Sequence, residues 1–182
     1  RLTLTAIFPS HEGFEAQLPT WRPGRYELGQ FAQYVYGMKG QNSEGRWEAL
    51  SKTNLHRWYV PEGIQTVRWE FYADVFNAGS TGAGDDIVYI NPVNCILYHP
   101  ENQDWGYQIE LVDVPESWSL ATGLPLRNGR LVAENVQHLM DSPILAAESL
   151  WHETYDSNGN VLTYEESGGY NWARTYDEDG NE

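Results

Sequence analysis

The stretch that organises this chain reads Leu18-Pro19-Thr20-Trp21-Arg22-Pro23-Gly24-Arg25-Tyr26-Glu27-Leu28. Each proline fixes its own φ angle and pushes the residue before it toward extended geometry, while Gly24 permits angles that other residues adopt only with strain. Trp21 and Tyr26 each carry a large apolar surface beside this kink. The segment is therefore predicted to build a specific structural corner, framed by Trp21, Pro23 and Gly24.

Outward from this corner, the chain alternates between apolar and polar side chains in short runs, as β-strands do. Residues 2–8 and 14–18 are predicted to pair across a turn, and 31–36 resume the extended pattern before a loop at 37–45. The longest alternating run is 64–76, whose predicted inward face carries Val67, Trp69, Phe71, Ala73 and Val75.

Further short runs of this kind follow at 47–50, 55–60, 87–90, 94–98, 107–112, 117–122 and 130–133. Residues 77–86 are rich in Gly, Ser and Asp and are predicted to form a loop, and 134–140 is the one predicted helical turn. Strands spaced by roughly eight to twelve residues, with turn signals between them, are typical of sandwiches. The predicted fold class is all-β, an antiparallel β-sandwich.

Charge and composition exclude several classes of partner. The formal net charge of −15 argues against nucleic acid, because phosphate binding needs a basic surface, and it disfavours anionic membrane surfaces for the same reason. No apolar run approaches the length of a membrane span. Cys95 is the single cysteine, so an internal disulfide is excluded and a buried, apolar-like role is predicted for it.

The character of the sequence changes near residue 150, which suggests a domain at 1–150 and a separate tail at 151–182. Residues 154–160 recur in altered form at 175–181, each copy with a favoured hairpin dipeptide, Asn158-Gly159 or Asp179-Gly180. Strands are expected at 161–165 and 170–176, which gives a small antiparallel meander. Such a small meander is stable only when it packs against a sheet edge or another chain, so a strand-exchanged homo-oligomer is one expectation.

The histidines give no zinc or catalytic site by their spacing. A thermolysin-type site needs two His residues one helical turn apart with a Glu between them. His11-Glu12 and His152-Glu153 begin this pattern, but Glu15 and Asp156 stand where the second His is required. The spacing of acids at 156–160 and 177–181 favours turns over calcium loops. No catalytic residue, metal ligand or cofactor is predicted in this chain.

Residues 18–26 resemble the Pro-x-Trp-x-Pro-Gly-x-Tyr segment of the glycyl aminopeptidase family of zinc peptidases, the sixty-first metallopeptidase family. The strand around 67–75 and the segments 118–125 and 139–144 fit the same family in the same order, over roughly 1–148. The resemblance implies a β-sandwich that precedes a thermolysin-like catalytic domain, and the family's zinc belongs to that second domain. It adds Asp141 and Pro143 to the structural corner.

The chain departs from the family pattern after Ser149-Leu150, where the tail resembles the Tyr-Asp repeats of Rhs-type proteins. Zinc binding and peptide hydrolysis therefore carry over to no residue of this chain. The leading hypothesis is a non-catalytic module with a structural or peptide-flanking role, whose partners are a peptide or an adjoining catalytic domain. The alternatives are a fragment of a complete metallo-aminopeptidase and a bacterial surface or assembly module.

Arg22, Arg25 and Tyr26 are the predicted binding residues if the module touches a peptide. Arginines on a rigid corner hold a carboxylate bidentately, and the tyrosine supplies an amphipathic wall. The competing interpretation places Trp21 and Tyr26 in the core and pairs the arginines with nearby acids.

Overall fold

The computed structural model of the protein describes residues 1–21, 28–77, 79–155, 158–159 and 161–167, with the backbone alone described at 151–155 and 161–167. Its strands in chain order are β1 (Leu2–Ile7), β2 (Phe14–Gln17), β3 (Val35–Gln41), β4 (Trp47–Ala49), β5 (Arg57–Val60), β6 (Thr66–Phe71), β7 (Gly82–Ala83), β8 (Ile87–Ile90), β9 (Tyr107–Ile109), β10 (Ser119–Thr122), β11 (Leu126–Arg127), β12 (Arg130–Ala133), β13 (Ile144–Ala147), β14 (Leu150–Tyr155) and β15 (Val161–Ser167). The described helices are a 3₁₀ helix at Phe31–Tyr34, α1 (Pro92–Cys95) and α2 (Val136–Met140). All strand pairs within the described residues are antiparallel, and the predicted all-β class is confirmed.

The first half of the chain forms a four-stranded sheet, in the order β1-β6-β3-β4, that faces the pair β2-β5. Because side chains alternate across a strand, each layer turns one face inward. Val67 and Trp69 from β6 and Met38 from β3 meet Phe14 and Trp58 from the facing pair in one buried cluster. This cluster is the main core of the sandwich.

The second half adds a four-stranded sheet, β10-β13-β8-β7, and a three-stranded sheet, β11-β12-β9. Leu131 and Ala133 from β12, Leu139 from α2 and Ile144 from β13 form a second buried cluster. Helix α2 thus packs its apolar side onto the sheets, which leaves its other side to the surface.

Several predicted strands differ from those observed. Residues 14–17 pair with β5 rather than with β1, because β1 takes β6 as its partner. The predicted loop at 37–45 is largely β3, which absorbs Gly37 at φ 59° and a register shift against β6 between Tyr36 and Lys39. Strand β6 ends at Phe71, short of the predicted end at residue 76. Ala73 is still buried, but Val75 is 45% exposed and therefore does not share the predicted inward face.

The predicted strand at 94–98 is wrong, since Pro92 opens α1 at this point. Proline is pre-organised for the first turn of a helix, where its missing N–H costs nothing. The loop predicted at 77–86 contains the short β7, and β13, which lies between β10 and β8, was not predicted. Helix α2 confirms the predicted helical turn.

The tail forms the antiparallel pair β14-β15, and Gly159 takes a positive φ of 86° at the predicted Asn158-Gly159 turn. The predicted strand at 170–176 and the second turn at Asp179-Gly180 lie outside the described residues. The division at residue 150 stays a prediction.

One buried hydrogen bond ties the first sheet to α1. Trp69 Nε1 donates to the carbonyl oxygen of Cys95 at 3.0 Å, and both residues are buried. Cys95 also packs with Phe71 and Ala73 in a small third cluster. The helix is therefore fixed against the strand that forms the middle of the main core.

We expect Trp69→Phe to lower the free energy of unfolding by about 2–4 kcal/mol, because it leaves a buried carbonyl unpaired and opens a void. Urea denaturation measures this change. The matched control is Trp47→Phe, whose ring lies 4.3 Å below the Arg68 guanidinium at a partly exposed site and should cost about 1 kcal/mol or less. Equal losses in the two variants would contradict the anchoring role of Trp69.

The thiol of Cys95 should be inert in the folded protein. Burial is the main cause that raises the pKa of Cys95 to about 12, so the reactive thiolate is absent at pH 8. We expect a disulfide reagent to label Cys95 at pH 8 only as fast as the protein unfolds, with full reaction in denaturant. Rapid labelling without denaturant would contradict the buried, apolar-like role.

Candidate functional site

Helix α1 and its N-cap residue contribute to two concave surfaces of the described chain. The first, called here the Trp21 cleft, has a volume of about 240 Å³ and is lined by Trp21, Asn91, Val93, Gln137, Met140, Asp141 and Pro143. The second, called here the Asn94 cavity, has a volume of about 390 Å³ and is lined by residues of 28–34, 71–75 and 79–81 together with Asn94.

The α2 side of the Trp21 cleft is built by helix capping. Asn135 accepts a hydrogen bond from the backbone N–H of His138 at 2.8 Å and starts the helix. Asp141 ends it, and the Ser142 hydroxyl donates to the carbonyl of His138 at 2.7 Å. Pro143 then turns the chain into β13. The helix end thus presents Asp141 and Pro143 side by side at the cleft.

Asn91 supplies the buried polar group of the Trp21 cleft. Its backbone is held at both ends by Thr81 Oγ1, which accepts from the Asn91 N–H at 3.0 Å and donates to the Asn91 carbonyl at 3.2 Å. Asn91 is the N-cap of α1, yet its side chain makes no capping bond. With 6% of its surface exposed, it carries an amide that has no hydrogen-bond partner within the described part of the chain.

Trp21 and Asp141 give the cleft its aromatic wall and its charge. Trp21 is 54% exposed, which corrects the interpretation of this residue as core. Asp141 is exposed and is the one charged side chain among the described residues of the lining. Its carboxylate forms no ion pair with any described residue. The cleft combines an aromatic ring, apolar walls, a free carboxylate and a free amide.

The Asn94 cavity has a different character. Asn94 is 3% exposed; its Nδ2 donates to the Gly79 carbonyl at 3.0 Å, while its Oδ1 has no partner among the described residues. The rim carries the exposed Leu28, Tyr72 and Val75. Tyr72 donates to Asp74 at 2.9 Å, and this hydrogen bond raises the pKa of the phenol. The cavity therefore pairs an unsatisfied acceptor with an apolar rim.

The structure brings three residues of the predicted corner, Trp21, Asp141 and Pro143, together in one cleft although they are far apart in sequence. Arg22, Pro23, Gly24, Arg25 and Tyr26 lie outside the described residues, so the predicted binding role of Arg22, Arg25 and Tyr26 stays a prediction.

Sequence reasoning missed Asn91, Val93, Gln137 and Met140, which complete the Trp21 cleft. The Asn91-Pro92 dipeptide, a strong signal for a helix start, could have drawn attention to the first of them.

No three His, Cys, Asp or Glu side chains of the described residues come together as metal ligands. His11 and Glu15 do not form such a group, and the side chain of His152 is not among those described. No described helix is long and apolar enough to cross a membrane.

The comparisons with known proteins agree with this architecture. A crystal structure of an aminopeptidase N family protein from Idiomarina loihiensis superposes with a TM-score of 0.74 at 24% identity, covering 97% of this chain and 30% of that one. At this identity the likeness shows a shared fold. None of the curated protein sequences matches this chain significantly. The family model described as the peptidase M61 N-terminal domain matches residues 1–148. The chain therefore belongs to the peptidase M61 family, as its amino-terminal, peptidase-associated domain.

Proposed function

We propose that this chain is a non-catalytic module that seats an adjoining M61 catalytic domain and flanks the peptide on which that domain acts. The single observation that carries the proposal is the Asn94 cavity, where a buried, unpartnered acceptor lies under a rim of exposed apolar side chains. The chain covers 30% of the length of its structural relative, so a further domain is the natural occupant of this surface.

The docking patch consists of Leu28, Tyr72, Val75 and Phe76, all substantially exposed. Phe76 lies flat enough on the backbone that a Cβ at Gly82 would come within 2.7 Å of its ring. Phe76 is thus packed closely against Gly82. Covering large apolar side chains removes them from water, at about 25 cal/mol for each Å² of apolar surface.

Asn94 Oδ1 adds specificity to this apolar patch. A buried acceptor without a partner costs about 1–3 kcal/mol. Because Asn94 Oδ1 is itself buried, we propose that a side-chain N–H donor of the docked domain enters the Asn94 cavity to recover this cost. Asn94 cannot rotate freely to find another partner, because its Nδ2 is already bonded to Gly79. A polar contact of this kind inside an apolar rim fixes the orientation of the partner.

The peptide-flanking part of the proposal rests on the Trp21 cleft. The cleft presents an exposed indole, a free carboxylate and a free amide at the start of the predicted corner. Arg22, Arg25 and Tyr26 lie within five residues after Trp21 in sequence and are the residues proposed to bind a peptide carboxylate.

The same family match leaves a second candidate, in which the chain is the amino-terminal part of a complete metallo-aminopeptidase. A reading frame that continues into a His-Glu-x-x-His helix would establish that candidate. The assembly role of the Tyr-Asp-like tail and strand exchange through it stay predictions.

Calorimetry with a separately produced M61 catalytic domain tests the docking. We expect binding by the unaltered chain and about ten- to a hundredfold weaker binding by Val75→Asp, which places a charge inside the apolar patch. Val112→Asp is the matched control, since Val112 is 71% exposed and lies outside the patch. Absence of binding, or equal effects of the two substitutions, would contradict the docking role.

A further inference from the structure

We propose that the Trp21 cleft binds a primary alkylammonium group, the chemistry at the end of a lysine side chain. The inference deepens the peptide-flanking part of the proposed function and rests on it. It names the side chain of the peptide that this cleft receives, and it is independent of the docking patch.

The walls of the cleft suit an unbranched methylene stem. Val93 is buried, Met140 and Pro143 add apolar surface, and the Trp21 ring closes one side. Methionine is unbranched and adaptable, so it conforms to a flexible chain. Lysine buries its stem along apolar surface of this kind while its head seeks polar partners. The volume of about 240 Å³ admits one such side chain.

The polar groups of the cleft suit the ammonium head. An ammonium has three N–H donors and no acceptor, so it needs several acceptors around it. Asp141 offers a carboxylate without an ion-pair partner among the described residues. Asn91, a residue with 6% of its surface exposed, offers an amide oxygen that makes no capping hydrogen bond. A lysine head would satisfy both groups at once.

Charge selects the sign of the ligand. Among the described residues of the lining, one side chain is negative and none is positive, and the whole chain carries a formal charge of −15. A carboxylate in this cleft would face Asp141 without a compensating cation among the described lining residues. A cation gains from Asp141 and from the face of the Trp21 indole, since tryptophan is the best of the aromatic partners for cations. An alkylammonium is therefore the ligand class that Asp141 and Trp21 both favour.

The test is a titration of the chain with N-acetyl-lysine N-methylamide, followed by the NMR shift of the Trp21 indole N–H, which Trp21→Phe identifies. N-acetyl-norleucine N-methylamide carries the same stem without the ammonium. We expect the lysine probe to shift the signal saturably and to bind about five- to tenfold more tightly than the norleucine probe. Equal affinities would overturn the assignment of the ammonium.

Two substitutions locate the effect. Asp141→Asn should weaken the lysine probe about three- to tenfold, whereas Asp85→Asn, at an exposed acid outside the lining, should leave it unchanged. Unchanged thermal unfolding verifies that Asp141→Asn is folded. Equal affinities in the Asp141→Asn and unaltered chains would overturn the proposal.

A third probe separates lysine from a peptide amino terminus. Glycine amide carries an ammonium without a stem, and binding of this probe as tight as that of the lysine probe would overturn the assignment of the stem. None of these measurements includes a catalytic domain. If the catalytic domain does not bind the chain, the probe titrations can still support the ammonium site. If the lysine probe does not bind, the docking experiment can still support the docking role.

Discussion

The hydrogen bond from the Trp69 indole to the Cys95 carbonyl is the contact on which both concave surfaces depend. Helix α1 has four residues, too few to be stable alone, so its position must come from tertiary contacts. Trp69 supplies that position from the middle of the main core. Asn91 and Asn94, which lie at the start of the helix and within it, then face two different surfaces.

The sequence was informative where one local pattern decided the structure. The alternation at 64–76 predicted β6, which covers 66–71 of that run, and Asn158-Gly159 predicted the turn between β14 and β15. Prediction failed where pairing depends on distant partners. Nothing local to 14–17 reveals that β5, rather than β1, is its neighbour. The glycines in β3 led to the prediction of a loop, because β-bulges and positive φ angles inside strands favour glycine as loops do.

The candidate site was predicted only in part, because its residues come from segments that are distant in sequence. Trp21, Asp141 and Pro143 stood out in segments with distinctive prolines and resembled family landmarks, but their meeting in one cleft is a long-range result of the fold. Asn91 gave no signal of its own function. An asparagine before a proline predicts a helix N-cap, and only the structure reveals that the Asn91 side chain makes no capping hydrogen bond.

Thr81 connects the two concave surfaces. It lines the Asn94 cavity, and its hydroxyl holds both backbone groups of Asn91 in the Trp21 cleft. A partner that displaces Thr81 must also loosen or shift Asn91, and a ligand that fixes Asn91 restrains Thr81 in return. Coupling between two binding events is reciprocal by thermodynamic necessity. The threonine hydroxyl thus links the surface proposed for docking to the cleft proposed for the ligand.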